Sequence, residues 1–484
     1  MKKCLNGAAR KWPGSHSAVR ATALAAVLVL AVPVAATAGA ATAVPVAAAA
    51  APHPARAVWE SDGELALIAD GRLELLGNDG SEHVVALTGP GAPSRPSWSP
   101  DGKWVAFLRP PVQPGYDAAV STLWTARSDG SDARRLSAPG ADVTQFAWRP
   151  TVTGGGEELA FSTVSLPSYT SSDIYLATGS APPQRFAKYT GLIDFSWAPS
   201  GASLAISYRK GPAGQPGAGK GFVQISPLDG QAGRTVYTLA DNGYVELVGW
   251  WPDGKGLLLW DDPYGSASIA ADGLALDSLE LSSLKLRSLA TTLTYPDWVS
   301  WSPDGRTVAV VAGGDREIWY SGKHVELCAI PAAACHAVPL PSGHVMSLDP
   351  AWSAPGTLVY VVAPAAGPTT ATATTTTSAA GAGGWGPSGP WTTQNVAAWY
   401  GAQHLFTAGA AGGGGRVLAA AGTGAHNPAP TSAGLLYVQG ANLRYLPRGA
   451  SRPVTIATGL DSPGIYANNY YGYIAWSQDF AWHP

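Results

Sequence analysis

Charged side chains are scarce in this sequence. Asp, Glu, Lys and Arg together make up 13% of the 484 residues, about half of the usual share. The basic residues do not cluster, so the chain lacks the positive patch on which binding to nucleic acid or to anionic lipid depends. We therefore expect no nucleic-acid partner.

Recognisable catalytic signatures are also missing. The sequence has no GxSxG nucleophile elbow, no phosphate-binding loop, no HExxH and no CxxC. The adjacent acids Asp261 and Asp262 are isolated, and we expect them to lie in a turn rather than a site. The sequence thus predicts no cofactor and favours a non-catalytic protein.

Acidic residues are absent from the first 56 positions. Five basic residues between Lys2 and Arg20 precede an apolar run over 21–34, and Ala-x-Ala sites follow at 36–38 and 38–40. This order is typical of a secretory signal. The alternative is an uncleaved membrane anchor, but the strongly apolar part is shorter than the roughly 20 residues that a membrane span needs. We predict a signal and linker over 1–56 and a secreted or cell-envelope protein, with membrane contact only if the signal remains.

Cleavage would change the charge balance. It would remove those five basic residues, leaving 25 Lys and Arg against 33 Asp and Glu and a net charge near −8. It would also leave only two of the three cysteines, Cys328 and Cys335. They flank a short Pro-containing connection between two strand-like runs, which in an oxidising compartment predicts a disulfide across a hairpin. A metal site using the nearby His324, His336 and His344 is the alternative, although the spacing fits no common ligand pattern.

Glycine, proline and tryptophan are abundant, with 58, 40 and 19 residues. A chain that is 46% hydrophobic and rich in tryptophan is too apolar to be disordered throughout. Few charges together with many turn formers favour all-β structure over helix bundles.

A repeat of about 50 residues organises the chain from Trp59 onward. Each copy has a Trp, a turn such as Ser-Pro-Asp-Gly, and an apolar strand-like run. The clearest copies start at Trp98, Trp250 and Trp301, others start at Trp59, Trp148, Trp197 and Trp352, and a copy ending at Gly434 has lost its Trp. Pro and Gly suit the turn, and Trp supplies apolar area for packing between thin sheets. Four-stranded units of this length predict a β-propeller.

The WSPDG unit resembles the repeat of TolB-like propellers, also called WD40-like PD40 repeats. The resemblance covers about 57–484 and implies a propeller fold, but it does not specify a function. The repeats predict a single propeller of about eight four-stranded blades, with seven as the alternative. The TolB family is six-bladed, so a count of eight departs from it. We expect the last run, YGYIAWSQDF, to pair with the first unit and close the ring.

A Thr-, Ala- and Gly-rich insertion, 365–395, interrupts the seventh unit. Its composition predicts a flexible rim loop. Trp385, Trp391 and Trp399 lie in or near it, and they either form a sticky edge for sugar or protein or fold back on the blade.

Acidic residues recur three or four positions before the repeat tryptophans. They are Asp194, Glu246, Asp297 and Asp349, and Gln145 and Arg95 occupy the same place in earlier units. Equivalent positions on successive inner strands predict an acidic ring at one mouth of the central channel, suited to a cation or a basic peptide. The alternative is that these acids bind backbone N–H groups at the starts of strands.

These observations predict a monomeric, non-catalytic scaffold that binds a protein or peptide. Two alternatives remain open. One is a propeller enzyme that acts on a carbohydrate or lactone through acids at the channel. The other is a sensor ectodomain held at the membrane by an uncleaved anchor.

Overall fold

The Ser-Pro-Asp-Gly turn reverses the chain through a small hydrogen-bond network. In the copy at Trp98, the Ser99 hydroxyl donates to Asp101 Oδ1 (2.7 Å) and accepts the backbone N–H of Trp104 (3.0 Å). Gly102 has a φ of 69°, a left-handed conformation that glycine adopts without strain. The turn therefore ends one strand and starts the next, antiparallel strand.

A computed structural model describes residues 63–77, 79–89, 91–110, 121–150, 158–165, 171–179, 181–211, 219–263, 265–319, 322–365, 393–409, 415–460 and 470–484. The chain divides into two units, Met1–Pro54 and Ala55–Pro484, and all described residues belong to the second. The predicted signal and linker, 1–56, lie outside them, as does Trp59.

The described strands form eight four-stranded antiparallel blades. The strands of each blade are given from the innermost outward. Blade 1 contains β31 (Phe480–His483), β1 (Glu64–Ala69), β2 (Arg72–Leu76) and β3 (Glu82–Val84), and blade 2 contains β4 (Ser94–Trp98), β5 (Trp104–Arg109), β6 (Thr122–Arg127) and β7 (Arg134–Arg135). Blade 3 contains β8 (Asp142–Trp148), β9 (Glu158–Val164), β10 (Ser171–Thr178) and β11 (Gln184–Thr190), and blade 4 contains β12 (Ile193–Trp197), β13 (Ser203–Lys210), β14 (Lys220–Pro227) and the start of β15 (Arg234–Trp250).

The other four blades follow in the same order. Blade 5 contains the end of β15, β16 (Gly256–Pro263), β17 (Leu274–Glu280) and β18 (Lys285–Thr292), and blade 6 contains β19 (Val299–Trp301), β20 (Thr307–Ala312), β21 (His324–Ala329) and β22 (Ala334–Ala337). Blade 7 contains β23 (Val345–Ala354), β24 (Thr357–Pro364), β25 (His404–Gly409) and β26 (Arg416–Val417), and blade 8 contains β27 (Ala425–Pro430), β28 (Gly434–Gln439), β29 (Asn442–Pro447) and β30 (Val454–Thr458). Helices α1 (Ala267–Asp272) and α2 (Thr393–Gly401) and four 3-10 turns (Pro296–Trp298, Ala419–Ala421, Tyr470–Gly472 and Trp476–Gln478) complete the described elements.

Two blades share the long strand β15. Its first part pairs with β14 and its second part, from Gly243, pairs with β16, so blades 4 and 5 form one continuous seven-stranded sheet. The all-β propeller fold predicted from the repeats is confirmed. The described residues show eight blades rather than seven, because blade 8 forms in addition to the blade that the two chain ends share.

Strand β31 closes the ring by pairing antiparallel with β1, with Leu65 opposite Trp482. The predicted closure is thus observed, but its boundaries differ. Of the run expected to close the ring, only Phe480 belongs to the closing strand. The remaining strand residues follow it, and 470–479 lie in front of the strand.

The repeat tryptophans connect successive blades through their indole groups. Trp98 sits at the end of β4, and its Nε1 donates to the backbone oxygen of Ala481 in blade 1 (3.0 Å). The acceptor is always the residue before the equivalent tryptophan of the preceding blade. The other bonds are Trp148 to Ser97, Trp197 to Ala147, Trp250 to Ser196 and Trp352 to Ser300, at 3.0–3.1 Å. Trp482 therefore occupies the anchor position of blade 1, and Pro430 occupies that of blade 8.

The second strand of each blade packs against both neighbouring blades. All six residues of β5, WVAFLR, are buried, and the first five are apolar, so this strand buries apolar side chains on both faces instead of alternating. Buried apolar clusters lie between successive blades, and the largest runs through blades 6, 7, 8 and 1. Burial of a side chain such as Phe107 contributes about 1.5–3 kcal/mol.

The antiparallel order places the connections on two opposite faces. The turn face carries the WSPDG turns and the turns between third and fourth strands. The insertion face carries the starts of the innermost strands and the connections between second and third strands. The longer of these connections are 110–121, 165–170, 211–219, 264–273, 313–323 and 365–403. The predicted insertion, 365–395, is in the last of them, and most of it lies outside the described residues.

Asp261 and Asp262 lie within strand β16, not in the turn that we expected. They extend the pairing of this strand with β15 and β17. No helix in the described part of the chain is both long and apolar enough to cross a membrane.

Candidate functional site

The four predicted acids belong to four consecutive blades. Asp194 lies in β12, Glu246 in β15, Asp297 in the 3-10 turn before β19, and Asp349 in β23. All four therefore lie near the start of an innermost strand, on the insertion face. Asp194 and Asp349 occupy the position three residues before the anchor tryptophan, whereas the other two precede that position by one residue.

Asp194 accepts hydrogen bonds from the hydroxyl of Tyr244 and from the backbone N–H of Leu247, both in blade 5. Burial raises the pKa of Asp194 to about 6, although these donors act in the opposite direction. Burial and the neighbouring carboxylates of Asp194 and Glu246 hold the pKa of Tyr244 well above its usual value. The carboxyl group of Asp194 thus links blade 4 to blade 5 by hydrogen bonds.

Asp349 accepts the indole N–H of Trp298 in blade 6 (3.0 Å) and the backbone N–H of Asn427 in blade 8. Burial raises its pKa to about 7, and the nearby carboxylate of Asp297 adds to the effect. No cation within 4 Å pairs with either acid among the described ion pairs. Asp349 is thus held by neutral donors from two neighbouring blades.

Asp297 is bound by residues from the end of the chain. The hydroxyls of Tyr473 and Ser477 donate to its carboxylate at 2.8 Å. Burial raises the pKa of Asp297, and these two donors partly offset the rise. The donors belong to the terminal segment, which we define as residues 470–479.

The terminal segment crosses the insertion face next to the innermost strands. The ring of Tyr473 stacks on Tyr295 in front of blade 6 with centroids 3.7 Å apart. The Tyr400 hydroxyl, beside blade 7, donates to Gly472 O (3.2 Å). Gln478 Oε1 accepts from Nε of Arg95 in blade 2 (3.0 Å). The segment therefore contacts blades on both sides of the ring closure.

Gln145 and Arg95, which occupy the equivalent position in blades 3 and 2, also form hydrogen bonds to neighbouring elements. Gln145 in blade 3 makes a pair of bonds to the backbone of Phe195 in blade 4, donating to its oxygen (2.8 Å) and accepting its N–H (3.0 Å). Arg95 remains accessible to solvent, while the protein atoms around it lower its pKa. Polar side chains at this position thus link inner strands to one another.

A β-bulge recurs at this position, and it directs the polar side chain. The register shifts in the first halves of β4, β8, β23 and β27, and between Leu247 and Gly249 in the second part of β15. Arg95, Asp349 and Asn427 adopt φ values of 53°, 46° and 46°, which are unusual for residues other than glycine. Bulges turn side chains out of the regular alternation and are often found beside functional sites.

Sequence reasoning missed Asp479, Trp298 and Asn427 at this position. Asp479 is buried and stands three residues before Trp482, the same spacing as Asp194 and Asp349. The spacing was visible in the sequence, but no Pro-Gly turn follows Trp482. Trp298 replaces the acid in blade 6, and Asn427 replaces it in blade 8.

Cys328 and Cys335 form a disulfide between β21 and β22, as predicted. Their sulfur atoms are bonded to each other and do not serve as thiolate ligands, although Glu326 lies close by. His324 instead contacts the backbone oxygen of Gly322 (2.7 Å) and Glu326 Oε1 (3.1 Å). This region is a covalently closed hairpin.

Trp399 of helix α2 folds back on its blade. It is buried, donates to Pro364 O (3.1 Å) and packs edge-to-face against Trp319. Trp385 and Trp391 lie outside the described residues. The described part of the insertion thus ends in a packed helix.

Comparison with known proteins gives structural likeness only. No family profile matches the sequence, and no curated protein matches it. Similar solved structures include TolB from Acinetobacter baumannii (14% identity, TM-score 0.37, 60% of this chain and 67% of that chain). They also include puromycin hydrolase (16%, 0.45, 77% and 54%) and oligogalacturonate lyase in complex with manganese (14%, 0.38, 55% and 70%). The chain thus spans about half the length of puromycin hydrolase. At these values the likeness concerns the propeller fold and carries no information about activity.

Proposed function

We propose that this protein is an extracytoplasmic propeller of the TolB-like PD40 group that holds a protein or peptide partner without catalysing a reaction. The observation that carries the proposal is how the carboxylates near the channel are bound. Asp194 and Asp349 accept backbone N–H groups of the next blade, and Asp297 accepts hydroxyls of the terminal segment. These acids serve the architecture of the ring, which favours a scaffold over acid–base catalysis.

The partner surface in this proposal is the insertion face. The second strands of blades 2 to 7 end on this face and the third strands begin on it, so the connections between them start and end there. Loops on a rigid scaffold commonly carry binding residues. Three large apolar side chains on this face are exposed. Ile269 (39%) lies in the connection 264–273, whereas Leu192 (46%) and Leu340 (38%) lie where the chain passes from one blade to the innermost strand of the next. Exposed apolar side chains suit a protein or peptide better than a small polar metabolite.

Two observations support a location outside the cytoplasm. The Cys328–Cys335 disulfide persists most readily in an oxidising compartment. The basic, apolar and small-residue order of 1–56 is typical of a secretory signal. N-terminal sequencing of the exported protein would separate a cleaved signal from a retained anchor, which the sensor alternative requires.

A second candidate, an enzyme acting on a glycan or lactone, is favoured by one observation. Burial raises the pKa of Asp194 to about 6 and that of Asp349 to about 7, and a general acid works best near such values. Turnover of a glycan or lactone by the wild-type protein that is lost in both Asp194→Asn and Asp349→Asn would establish this candidate instead.

The scaffold proposal is tested by chemical crosslinking of the mature protein to envelope and secreted proteins of its own organism. The double variant Leu192→Asp/Ile269→Asp alters the insertion face. Val84→Asp introduces the same charge at an exposed valine (49%) in the outer strand of blade 1 and serves as the control. We expect the double variant to lose a reproducible crosslinked partner that the control retains. Equal crosslinking in all three proteins would contradict the proposal.

A further inference from the structure

A groove opens between blades 5 and 6 on the turn face, opposite to the proposed partner surface. We call it the blade 5–6 groove. It encloses about 580 Å³, within the range of about 300–1,000 Å³ typical of ligand pockets. Four turns form its walls, two from each blade, and the residues used below are Trp251, Lys255, Leu281, Arg306, Ile330 and Pro331.

The wall from blade 5 departs from the repeat. Trp251 stands where the copies at Trp98 and Trp301 have Ser99 and Ser302, whose hydroxyls hold the turn aspartates. The indole ring lies over Gly256, where any side chain would approach the ring to about 2.2 Å. Trp251 is 4% exposed, and its buried N–H has no hydrogen-bond partner in the described residues. A polar turn has thus become an apolar wall.

In the wall from blade 6, Arg306 behaves differently from the basic residues at the same position of other repeats. The equivalent basic residues, Lys103 and Lys255, fold back onto the aspartate of their own turn at 2.8 and 3.1 Å. Among the described ion pairs, Arg306 makes none with Asp304, although the two residues have the same spacing. Its side chain is exposed and lines the groove instead.

The other charges of the groove are matched within the protein. Asp253 pairs with Lys255 (3.1 Å), and Glu280 pairs with Arg287 (3.7 Å). Arg306 is therefore the charged lining residue without an ion pair within 4 Å in the described part of the chain, although its charge still acts on the carboxylate of Asp304 in the same turn. An anionic group on a ligand would complement the guanidinium of Arg306.

The outer lip of the groove is covalently held. Ile330 and Pro331 lie in the turn between β21 and β22, inside the short loop closed by the Cys328–Cys335 disulfide. A lip that is already ordered loses little conformational entropy when a ligand binds. Together with Leu281 and Trp251, it gives the groove a mainly apolar lining.

We propose that the blade 5–6 groove binds a peptide segment of a partner that presents a bulky apolar side chain next to a carboxylate. The apolar side chain occupies the space between Trp251, Leu281 and Ile330, and the carboxylate pairs with Arg306. The inference rests on the proposed binding role of the propeller but concerns a different surface, so the two can fail independently.

The test starts with a phage-displayed library of random heptapeptides, panned on the mature protein. Selected peptides should carry a bulky apolar residue beside Asp or Glu, and titration calorimetry with the best synthetic peptide gives its affinity. Arg306→Gln should weaken binding about tenfold or more. Lys103→Gln changes the same repeat position in blade 2, outside the groove, and should leave the affinity unchanged.

Charge reversal provides the decisive comparison. Arg306→Glu should abolish binding of the selected peptide and recover affinity for a version in which Lys replaces the acidic residue. Selection that yields no groove-dependent peptide would overturn the proposal, as would peptides that bind Arg306→Glu and wild type equally. Binding that persists in Leu192→Asp/Ile269→Asp shows that the site is separate from the insertion face, whereas loss of binding there would contradict the assigned location.

Discussion

Replacing Asp349 with Asn should stabilise the propeller at pH 8 and have little effect at pH 3. The substitution keeps the shape of the side chain and an oxygen that can accept the N–H groups of Trp298 and Asn427. It removes the negative charge that burial and the neighbouring Asp297 disfavour. The expected gain is therefore electrostatic and depends on pH.

The magnitude follows from the pKa of Asp349, about 7 in the folded protein against an ordinary value of 3.8. A difference of about three pKa units corresponds to at most about 4 kcal/mol. Asp349 keeps some exposure to solvent, which screens the charge, so we expect about 1–3 kcal/mol. Because the folded state binds the proton more tightly, wild-type stability should fall as pH rises from about 4 to 7 and then level off.

Urea unfolding, followed by tryptophan fluorescence between pH 3 and pH 8, measures the effect. Asp304→Asn is the matched control, because hydrogen bonds from Ser302 and from the backbone lower the pKa of that exposed turn carboxylate. Asp304→Asn should therefore lower the free energy of unfolding, and this loss should appear as pH rises through the acidic range. If Asp349→Asn is no more stable than wild type at pH 8, or if its advantage is the same at pH 3, the carboxylate is not electrostatically strained.

Further predictions concern the connections within the ring. Replacing Cys328 and Cys335 with Ser should cost about 2–3 kcal/mol in a short closed loop, and peptide mapping without reduction should show the linked peptide in the wild type. Trp98→Phe should cost about 1–2 kcal/mol by removing an indole bond. Trp301 makes no indole hydrogen bond to the described residues, so Trp301→Phe should cost less in the same denaturant titration. Deleting 480–483 should replace cooperative melting with a broad transition and increase aggregation in light scattering.

The blade architecture was predictable because its signals are local. A tryptophan, a tight turn and an apolar run lie within a dozen residues, as at Trp98, and the turn geometry needs no distant partner. The disulfide was predictable for the same reason, since its cysteines flank one hairpin turn.

The anchor of the first blade could not be assigned from local pattern. Trp59 carries a turn-like sequence, yet Trp482 provides the anchor through a strand from the other end of the chain. The pairing depends on closure of the whole ring. The missing tryptophan of the last repeat gave no indication that Pro430 would occupy its place.

The positions of the four acids were predictable, but their partners were not. Asp297 is held by Tyr473 and Ser477, about 180 residues away. Such contacts arise only when the terminal segment crosses the insertion face. The one-residue offset of Glu246 and Asp297 was visible in the sequence, whereas the bulges that direct the side chains were not.

The pairing of β31 with β1 also imposes an order of assembly. The two strands lie more than 400 positions apart, so the free edge of β1 stays unpaired during synthesis until nearly the whole chain has been made. An unpaired strand edge is a template for association with another chain, and such long-range pairing forms slowly. A protein exported in an unfolded state would meet this hazard after translocation, when many copies fold side by side. Pairing of residues 480–483 with β1 therefore ends the period in which the chain can associate with its own copies through this edge.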